Sequence, residues 1–326
     1  MMPQGMHGGP IAYSVRGFLV VYVSNASDRE ALSVLEDAVC VIGVFDGLHR
    51  GHRFLIDTAL SIAKESGKRC VCITFDRDPD ECFIPDFKKL MANEERIDAL
   101  SKAGFDDVVV LEFTEELSSI PAEDFLDHVL SLYPPFAIVV AKDFRFGNHA
   151  QGDTQLLKAW GDKTNVEIDA LELFLDGDAP ITSTRIRALL REGDVKAAEA
   201  LLGRPFSYSS TVLPGRQAGR DMGFRTANLH IPDDLCVLED GVYAAYVRVG
   251  DRLYKAGVSV GIPPTFEGET QANVEAHILD FSEDIYGQSI EVLFKERLRD
   301  MRRFDDVDEL IATINHDFGS VRRLLG

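Results

Sequence analysis

The chain has 326 residues, 45% of them apolar and 27% charged, which predicts a folded globular protein of more than one domain. Fifty-four acidic residues against 34 basic ones give a formal charge of -20. A body this acidic repels nucleic-acid phosphates and anionic lipid, so neither is expected as a partner, and a phosphorylated small molecule must be met by cationic groups gathered locally.

The opening MMPQGMHGGPIAYS lacks a charged segment followed by an apolar one, so no export signal is expected. The apolar run from Phe18 to Val23 is far shorter than the ~20 residues of a membrane span. Five cysteines, at 40, 70, 72, 82 and 236, are odd in number, and Cys70 and Cys72 share one face of an apparent strand. That pattern predicts small core side chains in a reducing cytoplasm rather than a disulfide framework or a metal cluster.

In the first half, strands and helices alternate. Strands are expected at Val39 to Val44, Cys70 to Phe75, Val108 to Phe113, Phe136 to Ala141 and Val166 to Phe174. Helical spacing fills Phe54 to Lys64, Glu95 to Ala103 and Ala122 to Leu132, the last opened by Pro121. Such alternation predicts an α/β domain with a parallel sheet wrapped by helices, spanning 15–183. A basic helix, Arg185 to Arg191, begins the linker at 184–204, with Ser183 and Thr184 as its expected cap. Beyond it, 205–326 changes grammar. Short strands near 208–213, 242–249, 252–260, 273–281 and 289–295 are separated by turn residues, and a helix from Val307 to Leu325 carries Ile311, Ile314 and Leu324 among its apolar positions. This predicts an antiparallel sheet or barrel closed by a helix.

Two of the eight histidines fall in Gly43-Val-Phe45-Asp46-Gly47-Leu-His49-Arg-Gly51-His52, between the first strand and its helix. Ligands of open parallel sheets bind beyond such carboxyl ends. The glycines permit tight turning, the helix start offers free N–H groups to phosphate, and two imidazoles can neutralise charge that builds during displacement. Ser183-Thr184-Arg185-Ile-Arg187 adds hydroxyls and guanidinium forks suited to phosphate oxygens. In the second half, Gly215, Gly219, Arg220 and Gly223 precede Thr226-Ala-Asn228. The segment reads either as a hairpin turn or as a phosphate-covering loop with oxygen ligands for Mg²⁺.

Together with Asp143-Phe-Arg-Phe-Gly147 and Gly152-Asp153, the histidine and arginine segments resemble the bacterial bifunctional riboflavin kinase/FMN adenylyltransferase (FAD synthetase) family. Gly241-Val-Tyr243, Gly261-x-x-Pro264-Thr265-Phe266, Val274-Glu275-Ala-His277-Ile-Leu-Asp280 and Tyr286-Gly287 resemble its kinase module in matching order, so the likeness runs from about residue 18 to 320. The resemblance implies a Rossmann-like nucleotidyltransferase domain followed by a riboflavin kinase-like barrel. The first would join AMP from ATP to FMN, giving FAD and pyrophosphate. His49 and His52 would stabilise the α-phosphate and the leaving pyrophosphate. Gly43, Phe45, Asp46, Gly47, Gly51, Asp143, Ser183, Thr184, Arg185 and Arg187 would surround nucleotide or flavin.

The second domain would move the γ-phosphoryl of ATP onto the ribityl hydroxyl of riboflavin, giving FMN. By the same resemblance Thr226 and Asn228 ligate Mg²⁺ and phosphate, Glu275 is the base, Gly215, Gly219, Arg220 and Gly223 form the phosphate loop, and Arg299 lies near the flavin. His277 shares the face of Glu275 and is assigned no catalytic role. The chain departs from the family's pattern at Asp78, where Pro-His-Pro has a histidine, at Arg225, where a proline precedes Thr-Ala-Asn, and at Met301, where a glutamate is usual. Retention of only one activity, a different nucleotidyl acceptor, and an inactive flavin- or nucleotide-binding regulator are the alternatives these leave.

Overall fold

The computed structural model describes residues 11–15, 18–23, 29–131, 133–213, 226–261 and 273–326. The chain forms two compact units, one of Met1–Phe87 with Ala92–Ile181, the other of Lys88–Met91 with Thr182–Gly326.

In the first unit, seven strands form one sheet: β1 (Ile11–Val15), β2 (Phe18–Val23), β3 (Val39–Ile42), β4 (Cys70–Phe75), β5 (Asp107–Leu111), β6 (Ala137–Ala141) and β7 (Glu167–Leu171). Their order is β1-β2-β5-β4-β3-β6-β7, and all neighbouring pairs are parallel except β1 with β2. The apolar run at 18–23 is thus a sheet strand. All residues of β3 and β5 are buried, as expected of parallel strands covered on both faces. On one face Cys40, Ile42, Val71, Ile73, Ile138 and Val140 pack with Phe125 and Leu126 of helix α5 (Ala122–Val129) and with Leu157 and Trp160 of α6 (Thr154–Thr164).

The chain leaves β3 for β4 on one side of the sheet and later adds β6 on the other side of β3. The crevice between the exits of β3 and β6 is therefore the topological switch point, where the two neighbouring loops diverge to receive a ligand. Helix α1 (Arg50–Ser66) follows β3, burying Leu55, Ile56, Ala59 and Ala63, and ends at Gly67, left-handed at φ 69°. The cysteines behave as core side chains: burial, then Asp106, pushes the Cys70 thiol up to about 12, and burial pushes Cys40 and Cys72 up as well.

In the second unit, β10 (Ser207–Thr211), β11 (Ala227–His230), β12 (Gly241–Val249), β13 (Arg252–Gly261), β14 (Asn273–Ile278) and β15 (Ser289–Arg299) form an antiparallel sheet ordered β10-β15-β12-β13-β14-β11. The Leu213 N–H donates to the Asn228 carbonyl at 2.9 Å, linking the two edges and bringing the sheet close to a closed barrel. Strand β11 is an addition to the sequence expectation. Residues 88–91 join this unit through an isolated parallel bridge of Lys89 with Leu235: Lys89 N–H donates to Asp234 O at 2.8 Å and Cys236 N–H to Lys89 O at 2.7 Å. The buried Lys89 ammonium pairs with Asp234 at 2.8 Å.

Helices α7 (Ser183–Arg191), α8 (Val195–Leu202) and α9 (Val307–Leu324) complete the unit. The cap of α7 differs from the sequence expectation. Thr182, extended at φ -137°, accepts the Arg185 N–H at 3.2 Å, leaving Ser183 and Thr184 inside the first turn. On α9, Leu324 is exposed while Val321 and Asp317 are buried. Phe318 and Val321 lie over Gly257 of β13, where an added Cβ would stand 3.1 Å from the Phe318 ring.

A steric constraint in the first unit yields a direct prediction. Gly147, at φ 73°, would place a Cβ 2.4 Å from Ala122 Cα. Gly147→Ala is expected to destabilise that unit by about 3 kcal/mol, combining left-handed strain with overpacking. Denaturant unfolding followed by fluorescence of Trp160, the only tryptophan, reads this directly.

Candidate active sites

After β3 the backbone reverses sharply. Phe45, Gly47 and Leu48 all have positive φ, at 64°, 76° and 40°. For phenylalanine and leucine this conformation costs about 1–2 kcal/mol each, and burial of both side chains offsets it. Gly43 makes room for the turn: a Cβ there would lie 3.0 Å from the Phe45 ring. The chain emerges at His49, which caps α1. Its Nδ1 accepts the His52 N–H at 3.2 Å, so the neutral ring keeps its proton on Nε2.

His52 stacks on His49 with ring centroids 3.6 Å apart and planes 15° apart, and the Phe45 edge meets His52 at 5.4 Å. A Cβ at Gly51 would press to 3.2 Å from the His49 ring, so glycine allows the stack to sit against the helix start. His52 Nδ1 is enclosed without a hydrogen-bond partner. Burial, and then the adjacent His49, holds the His52 imidazole well below the usual 6.5. The first turn of α1 carries Arg50, His52 and Arg53 and no acidic residue, which suits an anion and opposes the helix dipole without one. Asp46 is buried in the same loop.

On the other side of the switch point, Asp143 is exposed at the exit of β6. The residues after it form a clasp. Phe146 and Gly152 exchange backbone hydrogen bonds at 3.2 and 2.9 Å, Phe144 stacks on Phe146 at 5.5 Å, and a Cβ at Gly152 would strike the Phe146 ring at 2.7 Å. Asp153 caps α6 by accepting the Gln155 and Leu156 N–H groups, which hold its carboxyl below the ordinary range, and pairs with Arg145 at 3.4 Å. Most of this motif is therefore structural. Ser183, Thr184, Arg185 and Arg187 stand together on the first turns of α7, in the second unit.

In the second unit, sheet register assembles the candidate groups. Asn228 of β11 lies directly across from Glu275 of β14, which lies across from Ser259 of β13. Cross-strand partners of this kind stand within about 5 Å at Cβ. Thr226 directly precedes β11 and is half-buried. Asn228, Glu275 and Ser259 alternate along their strands with buried Ala227, Leu229, Val274, Ala276, Val258 and Val260, so the row is the half-exposed face of the barrel wall. His277 stacks on Phe318 of α9 at 4.4 Å and 18°, a packed position. Arg299 is held by buried Asp317 through Nε at 3.0 Å and its terminal nitrogen at 2.9 Å, and lies 5.9 Å from the Phe304 ring centre. Gly215, Gly219, Arg220, Gly223 and Arg225 lie outside the described residues.

Sequence reasoning did not single out Ser259, Asp317 or Arg96. Arg96 of α3 (Asn93–Ser101) is 1% exposed and falls in phase with buried Ile97 and Leu100. An arginine on the apolar face of a helix was the available signal. The Asp78 carboxylate is likewise buried and accepts the Asp80 N–H at 3.0 Å.

Comparison with known proteins covers both units. The FAD synthetase family model matches residues 32–185 and the riboflavin kinase family model residues 202–325. The bifunctional riboflavin kinase/FMN adenylyltransferase of Escherichia coli strain K12 is 33% identical over 296 residues, covering 89% of this chain and 94% of its own. That of Bacillus subtilis strain 168 is 30% identical, covering 86% and 90%. A crystal structure described as a macrolide-efflux protein from Streptococcus pneumoniae superposes with a TM-score of 0.83 at 32% identity, covering 93% of this chain and 98% of that one. The chain belongs to the bifunctional riboflavin kinase/FMN adenylyltransferase family.

The depressed His52 pKa has a measurable consequence. Below about pH 6.5 the unfolded chain takes up a proton that folded His52 resists, so the first unit loses stability as pH falls through that value. Unfolding read at Trp160 is expected to show this loss, and His52→Gln to remove the His52 share of it.

Proposed function

We propose that this protein makes flavin cofactors in two steps at two sites: riboflavin to FMN in the second unit and FMN to FAD in the first. The observation that carries the reading is that each unit brings a candidate group together, stacked His49 and His52 at a helix start in one and Asn228 across from Glu275 in the other.

For the kinase step, Glu275 takes the proton of the ribityl hydroxyl as its oxygen attacks the γ-phosphorus and ADP departs. Positioning and charge neutralisation supply most of such catalysis. Asn228 offers a neutral oxygen donor directly across from the Glu275 carboxylate, and Thr226 just before the strand adds a hydroxyl, a hard-oxygen set that fits Mg²⁺. Those two residues would hold the ion, which supplies neutralisation of the phosphate charge. Among the described residues no cluster of three or more His, Cys, Asp or Glu forms a metal cage, as befits an ion whose other ligands come with the nucleotide.

For the adenylyl step, an oxygen of the FMN phosphate attacks the α-phosphorus of ATP and pyrophosphate leaves. His49 presents its Nε2–H to that charge, while His52, neutral in the free protein, is protonated against the polyphosphate. Asp143 and the Ser183, Thr184, Arg185 and Arg187 group position nucleotide and flavin. Arg299, fixed by Asp317, bounds the flavin of the kinase site. The cysteines stand as free thiols, which suits the reducing cytoplasm as the enzyme's compartment.

Incubation with riboflavin, ATP and Mg²⁺ is expected to yield FMN and then FAD on chromatographic separation; formation of neither would overturn the reading. Glu275→Gln is expected to lower riboflavin phosphorylation by about 10²–10⁴-fold while leaving FAD formation from supplied FMN intact. Equal loss of both activities would contradict two separate sites.

A further inference from the structure

Arg96 is the most completely buried charged group outside the set described above, and it stands at the carboxyl edge where the histidine loop begins. One terminal nitrogen donates to Val44 O and to Thr74 Oγ1, each at 2.8 Å; the other donates to Phe75 O at 2.8 Å and to Asn93 Oδ1 at 3.4 Å. The Val44 carbonyl is the last acceptor before the left-handed reversal at Phe45, and Phe75 is the last residue of β4, three before Asp78. One planar fork therefore ties the exits of two adjacent strands. Lysine, a point charge without the fork, cannot reproduce this.

Burial opposes the guanidinium charge, and the groups that sustain it are, in order, Asp78, Asp46, Cys72 and Glu81. Asp46 belongs to the histidine loop, and Asp46 and Asp78 are 4% and 6% exposed. Glu81 is itself fixed by the Asp78 N–H at 2.8 Å and by Asn93 Nδ2 at 3.1 Å. With Cys72 neutral, the Arg96 charge is sustained by carboxylates from the loop, the β4 exit and α2 (Asp80–Phe83).

We propose that Arg96 is a positioning residue for adenylyl transfer, fixing the histidine loop to the exit of β4, and that it compensates the carboxylate this chain carries at Asp78. The histidine stack hangs from a peptide that Arg96 holds, so its loss displaces the rings without removing any group that touches substrate. Loss of Arg96 also leaves Asp78 and Asp46 buried without their cation. That penalty is larger than the absence of the hydrogen bonds alone.

The proposal rests on the adenylyltransferase reading, and the two fail differently: wild-type chain that forms no FAD from FMN and ATP sinks that reading and the proposal with it. Given wild-type activity, R96M is expected to lower kcat for FAD formation about a hundredfold, with KM for ATP and FMN within about threefold. Riboflavin phosphorylation in the same preparation should be unchanged. Asp78→Asn added to R96M should recover about tenfold in kcat, because the uncompensated charge is gone. R96M with undiminished kcat, or a double variant no better than R96M, overturns the proposal. Should R96M lack a cooperative Trp160 unfolding transition, R96K decides: a lowered kcat with the transition intact supports the proposal, and wild-type kcat overturns it.

Discussion

The backbone reversal at the exit of β3 is the constraint on which the first unit's chemistry depends. Two non-glycine residues in the left-handed region are unfavourable alone and persist because their side chains are buried and Gly43 leaves room for the Phe45 ring. The result is a helix capped by an imidazole rather than by the usual hydroxyl or carboxylate. That cap consumes Nδ1 of His49, fixes its tautomer and stacks His52 against it. Burial, and then the stacked His49, holds the His52 imidazole well below its ordinary value. Strain, cap and pKa are thus one device.

The second unit reaches its geometry by another route, sheet register. Because side chains alternate along a strand, a one-residue slip of β14 would turn Glu275 into the core and bring Ala276 or Val274 outward. Buried alanine and valine on the opposite face hold the register, and α9, anchored by Phe318 on His277 and by Asp317 on Arg299, covers the end of the row. The net charge of -20 is a property of the exterior. At the start of α1 it gives way to Arg50, His52 and Arg53, with no acidic residue in the same turn.

Much of this was legible in the sequence because burial on both faces leaves a plain signature. Cys70 to Phe75 emerged with its observed bounds, and the parallel character of the sheet followed from the strand–helix alternation, although its strand order did not. Both histidines and the Asn228 and Glu275 pair were visible as motifs, although only the register shows the latter two as direct neighbours. What stayed hidden were interactions between distant segments. Strand β11 is four residues long and lies between a glycine-rich stretch and Pro232, so local pattern was too short to reveal it. Helix α1 begins at Arg50 rather than Phe54 because its cap is a histidine and its second residue a glycine, neither a usual start signal. Asp317 and Arg96 were not singled out from the sequence; each is buried with partners from elsewhere in the fold. Asp78, which looked like a loss at a phosphate site, stands instead among charges that Arg96 balances.

Burial, and then the adjacent His49, holds the His52 imidazole well below its usual value in the free protein, and the adenylyl step proposed above requires it to take up a proton against polyphosphate. Nuclear magnetic resonance titration of the His52 ring protons in the full chain, with and without inorganic pyrophosphate, tests it most directly. The account predicts a midpoint below 6.5 in the free protein that moves upward when pyrophosphate binds. An ordinary midpoint in the free protein, or one that pyrophosphate leaves unmoved, would contradict it.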